Sequence, residues 1–220
     1  MMFRMILAGA VALAMSSMSL PAAAQCLGDF NGDFEVTVDE LIVAVRNSLD
    51  DCEFDGPRFV DNRDGTITDR KTGLVWEKKD NRDGRPDLSD PHDADNVYAW
   101  SSSGSAPDGT VFTTFLFELN GGTSSDGITT SGCFAGRCDW RLPTIEELAG
   151  IADETQATCG QGSGACIDPI FGPTQVDAYW SATTLAAGST AAWVVNYGSG
   201  STDDQGKALG FSARAVRGGV

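Results

Sequence analysis

Histidine is almost missing from this chain, with His92 the only one in 220 residues. That excludes a zinc centre of paired histidines, and the cysteines contain no pair of C-x-x-C motifs to build one either. A hydroxyl such as Ser181 has a single imidazole to draw on as base. Basic residues are scarce too: 15 Lys and Arg face 31 Asp and Glu, a net charge of −16. A field of that sign repels nucleic acid, anionic lipid and sulfated glycans, and it attracts divalent cations. Long apolar runs are limited to Met5–Met15. That run falls well short of the roughly 20 residues a bilayer span needs, so no membrane span is expected.

The apolar run belongs instead to an export signal over residues 1–24. Arg4 supplies the positive start, and Ala22-Ala23-Ala24 is an A-x-A cleavage site before Gln25. Losing Arg4 takes the mature charge to about −17, and 19 of the 31 acids lie between Asp29 and Asp95. The mature chain is expected in the periplasm or outside the cell. It holds all six cysteines: Cys26, Cys52, Cys133, Cys138, Cys159 and Cys166. An even count in an exported protein reads as disulfides, and six cysteines permit 15 connectivities. The spacing favours three local staples, 26–52, 133–138 and 159–166.

Residues 25–53 form the first unit. Asp29, Asn31, Asp33, Glu35, Thr37 and Glu40 fit a 12-residue calcium loop, with oxygen ligands at alternating positions and a carboxylate at the twelfth. A hard cation needs six to eight oxygens, and this spacing turns them inward. Phe34 stands where such loops usually place Gly. Thr37 and Glu40 also make a capping box for a helix whose apolar stripe runs Val38, Leu41, Ile42, Val45, Leu49. The segment resembles a single dockerin-type or EF-hand repeat, which implies bound Ca2+. Dockerins grip their cohesin partners with two repeats, and one is found here.

An acidic linker, 50–57, precedes a second unit over 58–220. Asp64-Gly65 is a hairpin signal, Thr66-Ile67-Thr68 alternates with a period of two, and Gly73 punctuates a turn before Leu74-Val75-Trp76. These predict a small antiparallel meander with Trp76 facing a core. Residues 80–96 read as a solvated acidic loop carrying His92 at its surface. Val111–Asn120 suits a buried helix ended by Gly121-Gly122. Farther on, 178–183, 191–197 and 211–217 alternate as half-buried strands, with Trp180 and Trp193 in the core and a turn over 198–206.

One stretch organises this unit: Trp140-Arg141-Leu142-Pro143-Thr144, continuing Ile145-Glu146-Glu147-Leu148. Pro143 holds Leu142 extended, and Thr144 with Glu147 forms a second capping box that starts a helix ending near Asp153.

The order DGTITD, GLVW, WRLPT-x-EEL, YWSAT, AWVVN, RAVR resembles the Lcl C-terminal domain family, named for the terminal domain of Legionella collagen-like adhesins. The resemblance covers about Phe59 to Gly218. It implies an α+β, C-type-lectin-like fold related in shape to the formylglycine-generating enzymes. It also implies export and, in the namesake adhesin, trimerisation with binding of sulfated glycosaminoglycans. The family motif falls here on Trp140, Arg141, Leu142, Pro143, Thr144, Tyr179, Trp180, Ser181, Arg214 and Arg217. The three arginines are the matching basic positions, each beside a strand end and near acids that can pair with it.

Three functions follow as expectations. The first is an exported, non-catalytic binding module for a glycan or a surface protein, stabilised by calcium and disulfides. The second is a structural component of the envelope or extracellular matrix, oligomeric and without a small ligand. The third is an enzyme on the formylglycine-generating plan, which needs a reactive cysteine pair and copper.

Overall fold

A computed structural model describes residues 38, 56–122, 132–162 and 164–218 of the chain. Nearly all of them belong to the unit Pro57–Val220. The calcium-loop residues Asp29, Asn31, Asp33, Glu35, Thr37 and Glu40, and the pair Cys26 and Cys52, lie outside the described residues. Val38, expected on the apolar stripe, is helical with its side chain exposed.

The described residues form antiparallel sheets with a few short helices, an α+β arrangement. The expected meander is present as β1 (Phe59–Asp61), β2 (Thr66–Asp69) and β3 (Val75–Glu77). Its two turns are built locally. Asp64 accepts from the Thr66 amide and hydroxyl, Gly65 takes φ +84°, and Gly73 takes φ +70°. Asp69 closes the second turn by accepting from Lys71 N, Thr72 Oγ1 and both arms of Arg58.

Beyond the meander come β4 (Tyr98–Ala99), a π-helical turn Val111–Phe115 running into α1 (Leu116–Leu119), and α2 (Ile145–Ala149). The last strands are β5 (Ala178–Thr184), β6 (Ala191–Asn196), β7 (Ser201–Gly206), β8 (Gly210–Phe211) and β9 (Val216–Arg217). They pair in the orders β1-β2-β3-β9, β4-β8 and β5-β6-β7.

The 140–145 stretch stitches these sheets together. Arg141 and Val216 exchange both backbone hydrogen bonds at 2.9 Å, fastening the stretch to β9. Pro143 O then accepts from Ala182 N at 2.7 Å, and Ile145 N donates to Thr183 Oγ1, fastening it to β5. One buried cluster gathers Tyr98, Phe115, Trp140, Leu142, Trp180 and Val194; a second gathers Ile67, Trp76, Leu148, Phe171, Tyr179 and Val195. Val194 and Val195 are consecutive, so β6 feeds one cluster from each face.

Four local expectations change. The segment 198–206 is not one turn: only its start turns, and Ser201–Gly206 pairs residue for residue with β6. The helix from Ile145 stops at Ala149, because Asp153 N is drawn to Cys166 O and Ala152 bridges Ile167. Trp193 is half-buried, whereas Trp180 is fully buried. The acidic loop is partly interior: Asp93, Asp95 and Asn96 are buried. Its carboxylates accept from its own amides, Asp93 from Asp87 N and Asp95 N, Asp95 from Gly84 N, and Asp90 from His92 N. Such self-capped turns satisfy the acids without solvent.

Candidate functional site

A groove of about 610 Å³ opens where the motif stretch meets the helical segment. Phe112, Leu116, Phe117 and Asn120 of the helical segment line it together with Trp140, Arg141, Leu142 and Thr144 of the motif stretch and Ala182 of β5. Phe117 is 48% exposed at the rim. Trp140 is buried, its indole N–H donating to Phe134 O and its ring lying tilted 40° to the Phe134 ring at 4.9 Å. The Cys133–Cys138 disulfide closes the short ring that holds Phe134.

The polar side chains of this lining are already engaged. Asn120 donates to Leu116 O and Trp140 O and accepts from Trp140 N at 2.9 Å. Arg141 grips Glu147 with two bonds of 2.7 Å and also donates to Leu142 O and Gly218 O. Thr144 Oγ1 accepts from Glu147 N, and Glu147 Oε2 accepts from Thr144 N, completing the expected capping box. Glu147 therefore starts α2 and holds Arg141 at once, and the Arg141 guanidinium keeps its carboxyl below the usual range. What the groove offers a ligand is chiefly apolar surface.

The remaining motif residues are structural. Tyr179 and Trp180 are fully buried, and the Trp180 indole donates to Tyr98 O. Ser181 is buried and donates its hydroxyl to Trp193 O at 2.7 Å, so a backbone carbonyl, not a base, holds its proton. Arg217 pairs with Asp139 as anticipated for a strand-end arginine. Arg214 does not: it is fully buried and donates to Glu77 O, Phe171 O and Thr174 Oγ1, with no carboxylate in its grip.

Sequence reasoning missed a buried ionic cluster beneath β3. Glu77 is fully buried, with Lys79 Nζ at 2.9 Å, His92 Nδ1 at 3.0 Å and Ala215 N at 3.0 Å. Burial alone pushes the Glu77 carboxyl up, but Lys79 and then His92 outweigh it and bring it to about 2. Burial pushes the Lys79 ammonium down, and Glu77 opposes that shift. His92 is thus largely interior, and its ring lies 4.3 Å from Phe134, the neighbour of Trp140. Lys78 and Lys79 are adjacent and alike in type, and strand alternation past Glu77 was the one available signal for which of them turns inward.

Both described disulfides, Cys133–Cys138 and Cys159–Cys166, join the expected partners. Among the described residues no cluster of three or more His, Cys, Asp or Glu is placed to hold a metal, and no helix is long and apolar enough to cross a membrane. The two disulfides are compatible with an exported protein.

Residues 65–217 match the family model described as the Lcl C-terminal domain. The match spans well over half of the chain, and the chain belongs to that family. No curated protein and no solved structure matches it.

Proposed function

We propose that this member of the Lcl C-terminal domain family is an exported, non-catalytic binding module that recognises a surface protein through an apolar anchor seated in the motif groove. The observation carrying this reading is the internal engagement of Asn120, Arg141 and Thr144. Recognition of a sugar relies on hydrogen-bonding groups free to meet its hydroxyls, and a groove whose polar groups are engaged favours an apolar side chain. The exposed ring of Phe117 suits an anchor of that kind. A glycan is the competing ligand. The engagement of all four described cysteines in disulfides supports a non-catalytic reading over the copper-cysteine route.

Calcium belongs to this proposal on sequence grounds alone, through Asp29, Asn31, Asp33, Glu35, Thr37 and Glu40. The C-type-lectin-like relationship stands on the same footing.

The test is panning of the full exported chain against a random-peptide display library, beside a glycan array, each in calcium and in EDTA. Peptides with a shared aromatic or aliphatic anchor are expected, with binding lost in Phe117→Ser, a change at an exposed ring that leaves the core intact. Array binding with no peptide enrichment overturns the apolar-anchor reading.

A further inference from the structure

Strand β7 is unusual for what it lacks. Its sequence, Ser201-Thr202-Asp203-Asp204-Gln205-Gly206, contains no apolar side chain, and all but Gln205 are exposed. It buries no apolar side chain, and its Asp and Gly residues disfavour strands. Yet all six residues hold register with β6, and among the described residues β7 ends the order β5-β6-β7 with its other side unpaired.

The phase of the ladder shows which groups that side offers. Lys207 N donates to Thr190 O at 2.9 Å, which sets a hydrogen-bonded pair one step beyond the strand. Antiparallel alternation then turns Ser201, Asp203 and Gln205 toward β6, and Thr202, Asp204 and Gly206 outward. Of the outward groups, Asp204 N is covered by Asp203 Oδ1 at 2.8 Å and Gly206 O by Leu209 N at 2.9 Å. The amide and carbonyl of Thr202, the carbonyl of Asp204 and the amide of Gly206 face outward along a regular edge.

The charge on this edge selects the partner. Two copies pairing through β7 about a two-fold axis set either Asp203 or Asp204, depending on register, opposite its own counterpart, and like charges across a ladder are destabilising. The net charge of −16 on each copy adds to that repulsion. A strand bearing Lys or Arg meets the opposite condition on both faces, since Asp203 and Asp204 are consecutive and point to opposite sides.

We propose that the outer edge of β7 takes an extended, basic segment of a partner protein by strand addition, making a four-stranded sheet of β5-β6-β7 and the added strand. This surface is independent of the motif groove.

The test titrates the full chain into a fluorescein-labelled peptide alternating lysine with threonine and valine, read by anisotropy. The same peptide with glutamate in place of lysine serves as control. Binding of the lysine peptide alone is expected, weakened about three- to tenfold in Asp203→Asn/Asp204→Asn. The decisive variant is Thr202→Pro. Proline is tolerated on an edge strand whose amide faces solvent, so the fold, checked by near-UV circular dichroism, is retained while the ladder bond to the added strand is lost. Wild-type affinity in folded Thr202→Pro overturns strand addition in favour of diffuse attraction to an acidic surface. Absence of binding by the lysine peptide overturns the proposal as well.

Discussion

Glu77→Gln tests the buried ionic cluster most directly. The substitution keeps the side chain's size and an acceptor for Ala215 N, but it leaves Lys79 buried without its anion. The displacement of the Glu77 carboxyl from its ordinary 4.5 to about 2 corresponds to about 3 kcal/mol of stability near neutral pH. That agrees with the roughly 3–5 kcal/mol lost when one partner of a buried ion pair is removed. The sign sets the pH window. A carboxyl depressed on folding contributes fully above its unfolded value and loses that contribution as pH falls through its folded value. The wild-type advantage over Glu77→Gln should therefore be full at pH 6, shrink below about 4.5, and be mostly lost by about pH 2, as the protonated acid comes to resemble the amide. Urea unfolding followed by tryptophan fluorescence at several pH values measures it. A difference that does not change between pH 6 and pH 2, or no difference at pH 6, refutes the assignment of Glu77 as an anion held by Lys79 and His92.

Two further outcomes follow. Glu147→Ala removes both the capping-box acceptor and the Arg141 partner and should cost about 1–2 kcal/mol, or roughly 2–8 °C in Tm. Glu147→Gln should cost clearly less, since an amide oxygen still accepts from Thr144 N; equal losses would place the whole effect in the ion pair. Gly172→Ala should cost about 2–4 kcal/mol by thermal melting, because Gly172 sits at φ +79° and a Cβ there meets Lys79 O at 1.9 Å. A wild-type melt would show that the Lys79–Gly172 approach is not maintained.

Several features were legible in the chain because they depend on neighbours in sequence. The capping box needs only Thr144 and Glu147 three residues apart, and the meander needs only Asp64-Gly65, Gly73 and alternating apolar positions. The short spans between Cys133 and Cys138 and between Cys159 and Cys166 likewise favour local pairing. Family membership was readable for the same reason, as a series of short motifs in fixed order.

Tertiary contacts decided the rest. Arg214 looked like Arg217, a strand-end arginine beside acids, but Glu77, Phe171 and Thr174 come from elsewhere in the chain to enclose it. His92 looked solvated among aspartates until the fold set it against Glu77 and Phe134, residues 15 positions before it and in the disulfide ring after it. The composition of 201–206 reads as a turn, yet β6 supplies a full ladder, and pairing overrides a weak local preference. The groove exists only where Phe112 to Asn120, the 140–144 stretch and Ala182 converge. Local spacing determines caps and turns because their hydrogen bonds close within a few residues. Which polar groups are left to meet a ligand is a property of the packed whole, since their partners arrive from distant segments.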